Sequence, residues 1–211
     1  MIRTTINSVN SRQVFRRTFY RTQTRAAEGR ITRFTGPVEP IRGRRALILG
    51  DIENLDHSAA DLGFAIRYDR LGSLLRQSTS ARLLHAFFSE KTPNGSRARG
   101  LSDLGWNIHS RRVSTAQTRF GLRRFANADN LMLFLSGVIV SRSAADTVVV
   151  ASGDGDLVCG IVEGMKSLPA PRRIVTLSLA GSTSQRLDAK KNPDVYANIE
   201  IGLDCLRPLQ R

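Results

Sequence analysis

The sequence predicts an α/β protein with a mostly parallel sheet and helices on both faces. Short apolar runs rich in β-branched residues, Ala46–Gly50, Thr147–Ala151 and Arg173–Leu179, have the length and composition of strands buried on both faces. Between them, apolar residues recur at helical spacing, as in Leu157, Ile161, Met165 and Leu168. Strands that alternate with helical stretches are joined by crossovers, which makes neighbouring strands parallel.

The chain has 211 residues, 41% of them hydrophobic, enough for one sizeable domain and a tail. Its net charge of +14 and pI near 11.3 point to a polyanionic partner, nucleic acid before an acidic membrane surface. No apolar run approaches the roughly 20 residues of a membrane span; the longest, Leu131–Val140, is interrupted by Ser136-Gly137. Two cysteines, Cys159 and Cys205, without a CxxC pair or clustered histidines, argue against structural zinc and an oxidising compartment. His57, His85 and His109 are isolated along the chain, and His85, inside an apolar run, reads as a core histidine.

Residues 1–43 form a basic N-terminal arm and linker, and 44–211 the domain. The first 45 residues hold 11 Arg, no Lys and two acids, Glu28 and Glu39. Residues 1–27 contain no acid and place Ile2, Ile6, Val9, Phe15 and Phe19 at helical spacing. That suits either a phosphate-binding arm of a cytoplasmic protein or a transit peptide that would direct it to the mitochondrial matrix. Pro37, Pro40, Gly36 and Gly43 mark the linker.

Ala46–Gly50 is the first strand, followed by the acid-bearing turn Asp51-Ile-Glu53-Asn54. A helix is expected through Ala59, Leu62, Ile66, Leu71, Leu74 and Leu75, broken near Gly72. Arg82–Phe88 is a second strand, Lys91–Gly100 a basic turn, Leu101–Leu104 a short helix opening on Ser102, and Trp106–Val113 a weaker strand. Arg111, Arg112, Arg119, Arg123 and Arg124 make a basic segment suited to phosphates, beside Trp106, which could stack on a base but suits the core better. Leu131–Ile139 reads as a helix preceded by Asn127-Ala-Asp129. The central strand Thr147–Ala151 then runs through Ser152-Gly153-Asp154-Gly155-Asp156 into a helix. After the strand Arg173–Leu179, Ser182 or Ser184 is a natural helix cap, and Asp194–Ile201 is a last short strand.

Two strands thus end in acids, Asp51 and the pair Asp154 and Asp156. In a parallel sheet the C-terminal strand ends share one edge, so these carboxylates can converge. One acid per turn is explained as a helix cap; two separated by one glycine repel unless a cation lies between them. Oxygen ligands without Cys or His favour Mg²⁺ or Mn²⁺. A bound ion of that kind lowers the pKa of its water and neutralises charge developing on a phosphodiester.

At these residues the chain resembles a known family. Leu49-Gly-Asp51-Ile-Glu53-Asn54-Leu55 is similar to the DxxN opening of the NYN family of PIN-like nucleases, and Ser152-Gly-Asp154-Gly-Asp156-Leu157 to its SGDxDF centre. The likeness covers about 44–203. It implies a Rossmann-like three-layer α-β-α sandwich and a metal-dependent ribonuclease, acting on RNA that is single-stranded or structured, tRNA included, and able to form a homo-oligomer. By position, Asp51, Asp154 and Asp156 would coordinate the metal, Asp129 would be the further catalytic acid, and Asn54 and Ser152 would support the site. Where the family often has a second Asp after the Asp129 position, this chain has Leu135-Ser136, which makes a catalytically weakened nucleic-acid-binding protein the alternative. A phosphatase of the haloacid dehalogenase type is a distant third, because Glu53 and Asn54 replace the residues it wants and Lys166 comes late.

Overall fold

The computed structural model describes residues 38–80, 83–92, 94–118, 121–125 and 128–209. The arm expected at residues 1–27, with Arg82, Arg119 and Asn127, therefore lies outside the described residues. Six strands form one sheet: β1 (Ala46–Asp51), β3 (Leu83–Glu90), β4 (Asn107–Arg112), β7 (Thr147–Ala151), β8 (Arg173–Ser178) and β9 (Ala197–Glu200). Their order is β4-β3-β1-β7-β8-β9, and all five pairings are parallel. The expected three-layer α/β architecture is observed.

The central strands carry no alternation because both faces are covered: all six residues of β1 and all five of β7 are buried. On one face pack α1 (Ile52–Asp61), α2 (Tyr68–Ser78) and α3 (Ser96–Asp103), through Ile52, Leu55, Leu71, Leu75, Ala98 and Leu101. On the other, α4 (Ala128–Arg142) and α5 (Gly155–Lys166) bury Met132, Val140, Leu157, Ile161 and Met165 against Leu47, Leu49, Val148 and Val150. Two antiparallel pairs complete the fold, β2 (Phe64–Ile66) with β10 (Leu206–Pro208), and the hairpin β5 (Ser114–Thr118) with β6 (Gly121–Phe125).

Several expected elements shift. The helix expected from Ala59 to Leu75 is two helices separated by β2, broken at Gly63 (φ 84°) rather than Gly72. Gly63 adopts the left-handed conformation that favours glycine, whereas Gly72 lies within α2, close under Trp106. The basic turn after β3 becomes helical at Ser96, so α3 ends where a helix was expected to begin. The hairpin β5–β6 occupies the basic segment. The loop after β8 makes a single 3₁₀ turn, Gln185–Leu187, capped by Ser184. The packed body begins before Arg44: Val38 and Ile41 are core residues, and the Val38 N–H donates to Ser78 Oγ at 2.9 Å. No helix among the described residues is long and apolar enough to cross a membrane.

Candidate functional site

The chain winds outward from β1 to β3 and β4, then returns to the other side of β1 for β7, β8 and β9. The strand order reverses between β1 and β7, and in open α/β sheets ligands bind at the carboxyl ends of the strands at such a point. Both acid-bearing turns are there. Gly50 pairs with Ala151, so Asp51 and Ser152 emerge side by side.

Hydrogen bonds stitch the two turns together. Ser152 Oγ donates to Asp51 Oδ2 at 3.0 Å, and the Asn54 N–H donates to Asp51 Oδ1 at 3.1 Å. Asn54 Oδ1 accepts the Gly153 N–H at 2.9 Å, and Ser152 Oγ accepts the Asp154 N–H at 3.1 Å. Asp154 caps α5, its Oδ1 accepting the N–H groups of Asp156 (2.8 Å) and Leu157 (3.2 Å). Asn54 and Ser152, expected to support the site, each tie one motif to the other.

Asp51 is 4% exposed. Burial pushes its pKa from the usual 3.8 up to about 6; the hydrogen bonds from Asn54 and Ser152 oppose the rise, and the Asp129 and Glu53 carboxylates add to it. Asp129, in the first turn of α4, is raised by burial and then by Asp154 and Glu53. Glu53 thus acts on both Asp51 and Asp129 at this edge, and Asp154 acts on Asp129. Glu53, in the acid-bearing turn after β1, accepts a bond from Ser89 Oγ at 3.0 Å. Its membership is a long-range fact: Ser89 lies two residues beyond Phe87, the β3 partner of Asp51.

Asp156 does not join them. It was expected to coordinate the same metal as Asp51 and Asp154, but its side chain is 89% exposed and bonded to Arg186 Nη1. The reason is local: Asp154 takes the cap, which leaves Asp156 as the second residue of α5, on the outer side of its first turn. Ser136, in the Leu135-Ser136 pair where the resembled family often has a second Asp, is 2% exposed and turned back onto its helix, Oγ donating to the Leu133 carbonyl at 2.9 Å.

Among the described residues, no group of three or more His, Cys, Asp or Glu is placed to hold a metal ion. Magnesium commonly takes only one or two protein carboxylates and keeps several waters. Asp51, whose ionisation is opposed first by burial and then by the neighbouring Asp129 and Glu53, fits such a hydrated ion. Asp51 with Asp129 or Asp154 would hold it, with Asp156 set apart.

Arg111 and Arg112 end β4 on the same sheet edge, exposed, opposite Ser89 and Glu90. Arg123 and Arg124 fall on β6, opposite Ala116 and Thr115 in the backbone register, and their side chains lie outside the description. Trp106 is a core residue, 3% exposed and edge-on to Tyr68. Lys166 is the last residue of α5, at the opposite end of that helix from Asp154, bonded to Glu163 and Asp194 at 2.8 Å each. His85 and His109, isolated in sequence, meet across β3 and β4: Nδ1 and Nε2 are 2.8 Å apart and the rings stack. Burial, then the neighbouring ring, pushes His85 down to about 4, and burial also lowers His109.

No family model matches the chain, and no curated protein matches it significantly. Its fold is similar to the crystal structure of a protein of unknown function from Vibrio parahaemolyticus, at 18% identity and a TM-score of 0.58, over 79% of this chain and 98% of that one. The likeness is one of fold alone.

Proposed function

We propose that the protein is a metal-dependent ribonuclease of the NYN type, hydrolysing RNA phosphodiesters at the carboxyl edge between β1 and β7. The observation that carries this reading is the buried Asp51 carboxyl, its pKa raised to about 6 by burial and then by Asp129 and Glu53, with Asp154 acting in turn on Asp129. Carboxylates crowded this way bind a phosphate only with a cation between them.

A bound Mg²⁺ or Mn²⁺ would supply an acidified water and a counter-charge for the phosphodiester in the transition state. The chain's own residues do the rest. Asp51 with Asp129 or Asp154 would hold the ion, and Ser152 and the Asn54 N–H fix the orientation of the Asp51 carboxylate. Glu53, held by Ser89 Oγ, keeps the edge negative and favours retention of the cation. Arg111 and Arg112 lie where an RNA backbone crossing the edge could reach them, and the Arg-rich first 45 residues add affinity without sequence information.

Cleavage of a labelled structured RNA by the full chain, with Mg²⁺, with Mn²⁺ and with EDTA, tests the reading beside an identically purified Asp154→Asn variant. Metal-dependent cleavage that the variant loses supports it; equal cleavage by the variant removes it. A second reading, an RNA-binding protein of the same fold without turnover, is favoured by the exposed, Arg-bound Asp156 and the buried Ser136. It predicts salt-sensitive RNA binding unaffected by EDTA.

A further inference from the structure

Gly153 and Gly155 do more than allow a turn. A Cβ on Gly153 would overlap the Ser182 carbonyl oxygen, and one on Gly155 would lie 2.5 Å from Ser184 Oγ. The segment after β8 is thus seated directly on the Asp154 turn, and the Ser184 N–H donates to the Gly153 carbonyl at 3.0 Å. That segment ends in the 3₁₀ turn bearing Arg186.

The backbone around Arg186 is held from several sides. Leu187 is fully buried, the Arg186 carbonyl accepts from Asn192 Nδ2 at 2.8 Å, and the Leu187 carbonyl accepts from Asn198 Nδ2 at 2.7 Å. The guanidinium, by contrast, is in solvent: the Arg186 side chain is 62% exposed and its Asp156 partner 89%. An ion pair so exposed holds its partners weakly. A phosphodiester offers a guanidinium the paired oxygens it binds most strongly.

We propose that Arg186 is a phosphate-positioning residue that rests on Asp156 and transfers to a backbone phosphate of bound RNA. The inference rests on the ribonuclease reading for its ligand, an RNA phosphodiester next to the acid edge. In the resting protein the Asp156 carboxylate occupies the guanidinium; on RNA binding a non-bridging phosphate oxygen replaces it, and Asp156 is released toward solvent. No covalent bond changes. Asp156 is thereby an internal competitor of RNA rather than a metal ligand, and the glycines at 153 and 155 hold a phosphate-binding arginine against the acid-bearing turn.

The test is equilibrium binding of a labelled single-stranded RNA to the full chain in EDTA, over a salt series, for wild type, Arg186→Ala, Arg186→Lys and Asp156→Asn. The expected result is opposite signs from the two halves of one ion pair. Arg186→Ala weakens binding severalfold and lowers the slope of log K against log salt by about 0.7, one phosphate contact on a single strand. Arg186→Lys keeps the slope, and Asp156→Asn, which frees the guanidinium, tightens binding. Loss of binding in both Arg186→Ala and Asp156→Asn would mean that the pair only supports the loop, and no change in either would mean that RNA does not reach it. Both results overturn the proposal while leaving the metal site untouched. Manganese binding followed by electron paramagnetic resonance separates the two claims: the ribonuclease reading fails if wild type binds no Mn²⁺, whereas Arg186→Ala should retain the wild-type Mn²⁺ affinity. A wild-type protein that binds no RNA overturns both.

Discussion

Asp51 shows how one side chain can be costly to the fold and useful to the site. Its pKa rises from 3.8 to about 6 on folding, so the stability it contributes is complete below about pH 3.8 and is lost as pH rises through 6. An uncharged amide in its place would carry no such penalty. In EDTA at pH 8, Asp51→Asn should therefore unfold at higher urea than wild type, by up to roughly 3 kcal/mol from the shift alone, while losing metal-dependent cleavage. A variant no more stable than wild type at pH 8 would contradict the strain assigned to this carboxylate. His85 acts in the opposite sense. Its pKa falls from 6.5 to about 4, so its contribution is complete above pH 6.5 and is lost as pH falls toward 4. Wild type should show a shallow acid response because the two trends oppose each other over nearly the same interval. Asp51→Asn should show a steady loss of stability between pH 6.5 and 4, readable from thermal melts at half-unit intervals.

Among the elements, the loop carrying Arg186 and the turn of Asp154 behave as one unit. Gly153→Ala must push the Ser182 backbone aside, a clash expected to cost about 1–3 kcal/mol, and should reduce RNA binding along with stability. Its check is a urea titration beside Gly164→Ala, in the helix that follows, where nothing lies within 4 Å of the added Cβ. Most of the sheet was legible in the sequence: β1, β7 and β8 are apolar runs with the composition of strands, and Asp154 opens α5 as its cap. The two helices around β2 were not separated, because Gly63 and Gly72 look alike in sequence and only the first has a positive φ. Within the site, Asp51, Asp129 and Asp154 were found from the strand-end pattern and the family resemblance. The bonds that hold Glu53 to Ser89 and Asp156 to Arg186 were not legible, because they span 36 and 30 residues. Spacing shows that Asp154 and Asp156 share a turn, but not that the helix cap leaves Asp156 on the outer side, bonded to Arg186.

For the whole molecule, charge and packing divide the chain at different points. Composition placed the boundary near Arg44, yet Ile41 is fully buried in the core. Ile41→Ala should cost about 2–5 kcal/mol, measured by chemical denaturation, whereas removal of residues 1–36 leaves Val38 and Ile41 in place. Residues 1–37 hold eight Arg and one acid, half of the net +14. Their removal should flatten the salt dependence of RNA binding markedly without altering the metal requirement for cleavage. Filter binding between 50 and about 200 mM salt would read the first effect, and the cleavage assay the second.

The seating of the 182–187 segment on the Asp154 turn also orders events during synthesis. All four clustered acids belong to the first 154 residues, and a ribosome has made them well before the segment that braces the central turn exists. Until residues 182–187 emerge and Leu187 is buried, Gly153 has its bond to Asn54 but neither glycine has the Ser182 and Ser184 backing of the folded protein. The acids precede part of their scaffold, so a chain interrupted between residues 160 and 180 carries every candidate metal ligand and the Asn54 and Ser152 bonds, but not the segment that backs the Asp154 turn.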